Sequence, residues 1–521
     1  MKKIILMWLF TFQLCFAQGL THILEIQPPF SENRILGVSI LGVGDVNGDG
    51  WPDLAVGAGG PQKTFFYWGG PGILDTTADF SIPYVGSVMR LADLNGDGKE
   101  DLILSARDTV RVFFGKNPPP IAFDTMPGLI LHGETLDDFY GGRAVAVGDL
   151  NRDRFGDLVV GAETYTIGGR GFGKVYVYLG KSVPTTTADF TVVGDSLSGF
   201  GVNVQIGDLD GDSYADLAVA SRRAVQYPHE DQSIRIWRGG PSLTFSKNNY
   251  SQEMRKLDSN VDMYLFTLID YNLDGKADIF YPDSGRAFFH WGRTDSVRYA
   301  PDLIINPFGA FTHYFTNLVF SIGDVNKDGI SDFAFQTTPG GGNCVSVFLG
   351  NPPGPMITAS GSRCRTSQAS FWQITGVGDI NGDGVGDFAS SDPYFDDPGG
   401  SLPQPGYVVI FSGNKDWTSV SDPDSPCPCD FELSQNYPNP FNPSTTIQYS
   451  LAASDHVEIR VLDVLGRTIR TLVNRIEQPG AHAVVWNGRN NEGLPVAAGV
   501  YFYQLIVAGE ASQTRKLVLL R

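Results

Sequence analysis

One pattern of acidic residues recurs seven times along the chain and has the composition of a cation-binding loop. It places Asp at position 1, Asn or Asp at position 3, and Asp at positions 5 and 9. Ca²⁺ is a hard cation that takes about six to eight oxygen ligands, which carboxylates, amides and backbone carbonyls supply. The candidate ligands of loops one to seven are Asp45, Asn47, Asp49 and Asp53; Asp93, Asn95, Asp97 and Asp101; Asp149, Asn151, Asp153 and Asp157; Asp208, Asp210, Asp212 and Asp216; Asp270, Asn272, Asp274 and Asp278; Asp324, Asn326, Asp328 and Asp332; and Asp379, Asn381, Asp383 and Asp387.

The remaining positions of the pattern suit a tight turn around one ion. Position 7 contributes only its backbone carbonyl, so its side chain is free to vary, and position 6 favours glycine because the chain turns sharply there. Arg154 in loop three and Ser213 in loop four break the glycine rule, and we expect those two loops to be strained or weaker. Asp, Asn and Gly also form ordinary turns, but that explains one or two copies. Seven copies with 22 carboxylates predict up to seven structural calcium ions.

The segments around the loops determine what positions them. Short β-branched runs precede and follow each loop, as in residues 144–148 and 158–162, whereas an EF-hand would require flanking helices. An aromatic-rich run ending in glycine comes next, as in residues 175–180, and several repeats add a fourth, weaker strand. Four strands in a repeat of roughly 55 residues are typical of a propeller blade. The sequence therefore predicts an all-β protein with a seven-bladed β-propeller over residues 18–413.

The two ends of the propeller segment predict how the ring closes. The seventh repeat ends after its third strand, and an unassigned strand at residues 20–26 precedes the first loop. We expect that strand to complete the seventh blade from the outside, which removes an exposed sheet edge.

The rest of the chain divides into three further segments. Residues 1–17 combine Lys2 and Lys3 with a short apolar run and predict a signal peptide. Residues 414–430 are rich in Ser, Asp and Pro and predict a linker. Residues 431–521 contain short alternating strands and predict a small Ig-like β-sandwich. In an oxidising compartment Cys344 and Cys364 could pair across neighbouring strands.

Composition excludes some partners and argues against catalysis. The formal net charge of −19 disfavours nucleic acid and anionic membrane surfaces, and no segment after residue 17 is apolar enough to span a membrane. The seven histidines are scattered and no catalytic motif is visible, so we expect no enzyme. Three charged pairs are predicted to be solvated loop residues: Asp137–Asp138, Arg222–Arg223 and Asp396–Asp397.

The repeats resemble a known family. Strand, acidic loop and a following D-L-x-V-G-A run are similar to the FG-GAP repeat of integrin α-subunit propellers and to bacterial VCBS-type repeats. The motif's halves are echoed by Phe200–Gly201, Tyr140–Gly142, Gly57–Ala58 and Gly161–Ala162. Integrin propellers carry such loops in only some blades, so seven copies look more like the bacterial relatives. The resemblance implies calcium binding and an adhesive or ligand-recognition role, without naming a ligand.

The C-terminal segment resembles the type A sorting domain of the type IX secretion system. The similarity rests on the run around Asn436–Pro443, on Asp463–Arg467, on Trp486–Gly488 and on the terminal K-L-V-L-L-R. It implies contact with that secretion machinery and passage across a bacterial outer membrane, followed by removal of this domain with release or surface anchoring. The sequence thus favours a secreted or surface calcium-binding propeller that recognises an extracellular protein or polysaccharide. A calcium-dependent polysaccharide lyase or hydrolase is the alternative.

Overall fold

The structure is a computed structural model. It describes residues 20–26, 35–71, 74–118, 121–135, 137–223, 231–255, 263–283, 286–298, 300–305, 319–337, 343–350, 361–365, 373–393, 406–415, 417, 431–433, 436, 438–451, 455–463, 467–477, 480–507 and 511–520. The predicted signal peptide and most of the predicted linker lie outside these ranges.

Seven four-stranded antiparallel sheets follow one another along the chain, as predicted for a seven-bladed β-propeller. Blades one to three contain β2 (Leu36–Gly44), β3 (Asp53–Ala58), β4 (Lys63–Tyr67) and β5 (Phe80–Ile82); β6 (Val88–Ala92), β7 (Asp101–Ala106), β8 (Thr109–Phe113) and β9 (Leu129–His132); and β10 (Val145–Gly148), β11 (Asp157–Ala162), β14 (Lys174–Tyr178) and β15 (Phe190–Val193). A two-stranded hairpin leaves blade three between its second and third strands, formed by β12 (Thr166–Ile167) and β13 (Arg170–Gly171).

Blades four to six repeat the same arrangement. Their strands are β16 (Asn203–Gly207), β17 (Asp216–Arg223), β18 (Asp231–Trp237) and β19 (Gln252–Arg255); β20 (Thr267–Ile269), β21 (Asp278–Asp283), β22 (Arg286–His290) and β23 (Leu303–Ile305); and β24 (Val319–Gly323), β25 (Asp332–Thr337), β26 (Asn343–Phe348) and β27 (Gly361–Arg365). A single 3₁₀ turn, Met263–Leu265, precedes blade five and is the only helical element among the described residues.

The seventh blade joins the two ends of the propeller segment. It contains β28 (Gln373–Gly378), β29 (Asp387–Asp392) and β30 (Tyr407–Ser412), and its outer strand is β1 (Thr21–Ile26) from the start of the chain. β1 pairs antiparallel with β30, with Thr21 opposite Ser412 and Ile26 opposite Val408. The predicted closure by the N-terminal strand is confirmed.

The blades pack face to face, which explains their apolar composition. Every residue of β3, β11, β29 and β30 is buried, because each face of these strands contacts a neighbouring blade. After their first residues, β3 and β11 therefore read as continuous apolar runs instead of alternating ones, as does most of β30, whereas β29 is buried although Asp387, Ser390, Ser391 and Asp392 are polar. The first strand of each blade lies innermost, and the first strands of six blades together line a central cavity of about 240 Å³.

The C-terminal segment forms a two-sheet sandwich. The smaller sheet contains β31 (Phe431–Leu433), β32 (Thr445–Leu451) and β35 (Gly480–Trp486); the larger contains β34 (Thr468–Glu477), β33 (Asp455–Leu462), β36 (Gly499–Val507) and β37 (Ala511–Leu519). Trp486, Tyr503 and Ile459 are fully buried in its core.

Two sequence expectations about charged residues are wrong. Arg222 and Arg223 end β17 and are not in a loop, although Arg222 is exposed to solvent as predicted. Asp138 is buried, because its carboxylate accepts hydrogen bonds from the backbone and the hydroxyl of Thr135 and so replaces its solvent contacts. Asp396–Asp397 lies outside the described residues.

In the part of the chain that the structure describes, no helix has the length and apolar character needed to cross a membrane.

Candidate cation-binding loops

The seven acidic loops occupy the same place in all seven blades. Each begins just after the innermost strand, and its position-9 aspartate is the first residue of the second strand. The antiparallel pairing of these two strands therefore brings the ends of the loop together, and all the loops connect equivalent strand ends.

The position-9 aspartate is a buried anchor in every loop. Its side chain accepts the N–H of position 2 over 2.8–3.1 Å. The other carboxylate oxygen accepts the N–H of the glycine that follows the third strand, also over 2.8–3.1 Å. All seven position-9 aspartates are fully buried: Asp53, Asp101, Asp157, Asp216, Asp278, Asp332 and Asp387. One carboxylate thus ties the loop to two strands.

The side chains at positions 1, 3 and 5 accept backbone N–H groups of the same loop and so stabilise its turn. Position 1 accepts the N–H of position 6 over 2.8–2.9 Å. Position 3 accepts the N–H of position 5, and position 5 accepts the N–H of position 7 over 2.9–3.0 Å. Each oxygen has two lone pairs, so accepting one N–H leaves capacity for a further ligand bond.

Two backbone positions in each loop are left-handed. Position 6 has φ between +71° and +96°, including +75° at Arg154 and +71° at Ser213. A non-glycine side chain is strained in this region, so the exceptions predicted from the sequence are confirmed as strained. Position 4 also has positive φ, between +58° and +81°, which the sequence reasoning missed. Loop three has arginine at both positions, Arg152 and Arg154, and is the most strained.

Neighbouring loops contact one another around the ring. The N–H of position 8 donates to the position-1 carbonyl of the preceding loop, as from Gly156 to Asp93 over 2.7 Å and from Ala277 to Asp208 over 2.7 Å. A Cβ on Gly96 would lie 2.3 Å from the ring of Phe155, the position-7 residue of the next loop. Glycine at position 4 therefore also makes room for the adjacent blade.

The buried carboxylates have perturbed acidity. Burial raises the pKa of the position-9 carboxyl to about 6 in loops two and four and to about 7 in the other five. Backbone N–H donors oppose this shift, and the neighbouring loop carboxylates reinforce it. The charged form therefore lacks a sufficient counter-charge, which a bound cation would supply.

The donor set fits a hard divalent cation. Positions 1, 3, 5 and 9 offer oxygen ligands, of which three are carboxylates in six loops and four in loop four, and position 7 adds a carbonyl. In loop four the carboxylate oxygens of Asp208, Asp210 and Asp216 lie within 4.8 Å of one another.

In loop four an arginine from outside the loop pairs with two of the candidate ligands. The Nη1 of Arg238 lies 2.6 Å from Asp216, and its Nε lies 3.3 Å from Asp210. Arg238 directly precedes the glycine that follows the third strand. At that position the other blades have Trp68, Phe114, Leu179, Trp291, Leu349 and Ser412. The sequence reasoning also missed this arginine. An alignment of the seven repeats would have shown it as the one charged residue at this position.

Comparisons with known protein families agree with the repeat pattern. A model of the FG-GAP-like repeat matches residues 45–104, and the FG-GAP repeat matches residues 141–178 and 200–233. The FlgD Ig-like domain matches residues 442–511. The chain thus carries integrin-like FG-GAP repeats followed by an Ig-like domain.

Curated relatives are integrin α chains. Integrin alpha-6 of Gallus gallus is 31% identical over 119 residues, which cover 22% of this chain and 10% of the relative. Integrin alpha-IIb of Homo sapiens is 30% identical over 211 residues, 40% of this chain and 16% of the relative. The chain therefore spans only a small part of the length of these relatives. Among solved structures, a crystal structure of BBS1N in complex with ARL6DN covers 76% of this chain and 98% of its own, with 10% identity and a TM-score of 0.46.

Proposed function

We propose that this protein is an exported β-propeller that binds calcium in its acidic loops and recognises an extracellular protein or polysaccharide. The observation that carries the proposal is the repetition of one oxygen-lined loop at the same strand junction in seven blades. The repeats' similarity to integrin α chains supports a ligand-recognition role for the propeller.

The calcium ions hold the loops in place and do no chemistry. Each one neutralises a buried position-9 carboxylate and its neighbours at the junction between two strands. Extracellular modules bind calcium with Kd of about 10⁻⁴–10⁻³ M. At a free calcium concentration of about ten times Kd, each occupied site adds roughly 1.4 kcal/mol to the free energy of unfolding. Several sites together therefore rival the whole stability of an ordinary domain, about 5–15 kcal/mol.

The proposal of export is based on the two terminal segments of the chain. Residues 1–17 have the composition of a signal peptide, and residues 431–521 form an Ig-like sandwich whose motifs resemble a type IX sorting domain. In our proposal the sandwich delivers the propeller through the secretion machinery to the cell surface or the medium. Deleting residues 431–521 should leave the protein inside the outer membrane, and cell fractionation measures this. Normal secretion of the truncated chain would contradict the sorting role.

The recognition role is tested on the chain after removal of the signal peptide alone, residues 18–521, which is called the mature chain below. The protein is incubated with immobilised polysaccharides and matrix proteins, in calcium and in chelator, and both retention and new chain ends of the substrate are scored. A matched pair of variants separates calcium from net charge: Asp49→Asn alters loop one, and Asp75→Asn removes the same charge outside the loops. Calcium-dependent retention that Asp49→Asn weakens more than Asp75→Asn supports the proposal.

The same experiment tests the enzymatic alternative. Cleavage of a polysaccharide would contradict the binding-only function, and retention that is unchanged in chelator would contradict its calcium dependence. The described lining of the central cavity contains amides, hydroxyls and one arginine, but none of those described residues is a carboxylate or a histidine. It therefore offers no acid–base pair of the kind a hydrolase requires.

A further inference from the structure

The central cavity is a polar chamber in a chain with a strongly negative charge. Side chains from the innermost strands of six blades line it, and its polar members are Arg90 from blade two, Gln205 from blade four, Thr267 from blade five, Ser321 from blade six, and Gln373 and Thr375 from blade seven. Ser321 is exposed, so the cavity communicates with solvent.

Arg90 is the one cationic residue in the described lining, and no acidic partner accompanies it. Its guanidinium donates to the carbonyl of Met89 over 2.9 Å, the only hydrogen bond it makes within the described residues. Burial lowers the pKa of Arg90, and no carboxylate among the described residues offsets that effect. Arg90 also lines a second, smaller cavity beside Gln205, so its side chain lies between two spaces. A guanidinium has five N–H donors, and most of those of Arg90 are left for another acceptor.

The amides around Arg90 are oriented by the strands. The Oε1 of Gln373 accepts the N–H of Ile40 over 2.9 Å, so its NH₂ group is the donor end. That group lies 3.5 Å from the carbonyl of Ser87, to which it donates one N–H, and the other N–H is available. The NH₂ of Gln205 donates to Asn203 over 3.1 Å and has a second N–H available. Thr267 and Ser321 add hydroxyl groups to the lining. A positive group surrounded by hydrogen-bond donors is complementary to an anion with several oxygen acceptors.

We propose that the central cavity binds a small oxyanion, a carboxylate or sulfate group, through the guanidinium of Arg90 with the amides of Gln205 and Gln373 as further donors. A planar guanidinium matches such groups with two parallel N–H donors. The cavity of about 240 Å³ admits a group of this size. The inference does not rest on the proposed function, because an anion can bind here whatever the propeller recognises elsewhere.

The oxyanion can be free in solution or carried by an acidic sugar, and the test separates these sources. The mature chain in calcium-containing buffer is titrated calorimetrically with sodium sulfate, with sodium acetate and with digalacturonate, at constant ionic strength set with chloride. Three variants are compared with the wild type. Arg90→Met removes the guanidinium, Arg90→Lys keeps the charge without the planar fork, and Arg170→Met removes an equal charge from the exposed β12–β13 hairpin.

We expect saturable binding of at least one probe to the wild type and to Arg170→Met. Arg90→Met should bind at least tenfold more weakly, with Arg90→Lys in between. Tighter binding of digalacturonate than of acetate would identify an acidic sugar as the source, and the reverse order a free anion. Absence of saturable binding to the folded wild type would overturn the proposal. Equal affinity of the wild type and Arg90→Met would overturn it as well, whether or not matrix ligands are retained.

Discussion

Loop four should bind calcium more weakly than the other loops, because Arg238 already occupies it. The guanidinium lies 2.6 Å from Asp216 and 3.3 Å from Asp210, and the Arg238 side chain is only 21% exposed. A calcium ion would have to displace these contacts or share its ligands with a positive charge. Hydrogen bonds to charged groups contribute about 1.5–3 kcal/mol net. Because every 1.4 kcal/mol is about a tenfold change in affinity, the expected weakening of loop four is roughly 10- to 100-fold.

The substitution Arg238→Leu tests whether the guanidinium weakens calcium binding. It introduces a residue that other blades already have at this position. Leu179 and Leu349 occupy the equivalent position in blades three and six, so leucine suits the local backbone. Native mass spectrometry of the mature chain over a free calcium series of about 0.1–10 mM counts the bound ions. Arg238→Leu should bind one more ion than the wild type in the middle of the series.

The control removes a similar charge that does not face a loop. Lys181 follows the corresponding glycine of blade three and pairs with Asp189 over 3.0 Å, outside the loops. Lys181→Leu should bind the same number of ions as the wild type at each concentration. If Arg238→Leu also shows no additional ion, or if the wild type already fills loop four together with the other loops, then Arg238 does not compete with calcium.

Three further predictions follow from the loops and blades. Arg154→Gly should raise the free energy of unfolding by about 1 kcal/mol in urea titrations, because glycine accepts φ of +75° without strain, whereas Gly98→Ala should lower it. Cys344 and Cys364 lie opposite each other on β26 and β27, so the mature chain secreted into an oxidising medium should show two titratable thiols, those of Cys427 and Cys429, and Cys344→Ser should show three; four reactive thiols in the wild type would rule the bridge out. His290 donates from Nδ1 to the carbonyl of Arg298 and accepts the Tyr281 hydroxyl at Nε2, and burial lowers its pKa. At this site the folded state therefore binds fewer protons, so the contribution of His290 to stability should fall as the pH drops below about 6.5. The raised pKa of the position-9 carboxyls acts in the opposite direction but is common to the wild type and His290→Gln, so the difference between their two urea-midpoint profiles reports His290; no pH dependence of that difference would contradict the assignment.

Repetition made the fold predictable from the sequence. Seven recurring loops located the junction between the first and second strands of every blade, and the unassigned strand before the first loop predicted the closure that β1 and β30 make. Periodicity alone would have been weaker, because strands buried on both faces, such as β3 and β29, do not alternate.

The features that were missed depend on contacts between segments far apart in the chain. The position-9 aspartates are anchored by glycine N–H groups from the third strand, a partnership that no local pattern reveals. The positive φ at position 4 was hidden because Arg152, Leu273 and Lys327 occupy it in three loops. Asp138 read as a solvated charge because its hydrogen bonds to Thr135 depend on how the turn folds back.

The pairing of β1 with β30 also determines when the propeller ring can close during folding. Thr21 and Ser412 lie at opposite ends of the propeller segment, so this contact closes a chain loop that contains almost every other strand of the ring. Closing so long a loop costs conformational entropy that no local contact offsets, which makes it a late and slow step in folding. A chain that is exported from its N-terminus delivers β1 first and its partner last. Until β30 arrives, β1 has an unpaired edge open to other chains, and the interval between the two arrivals is when the protein is most exposed to aggregation.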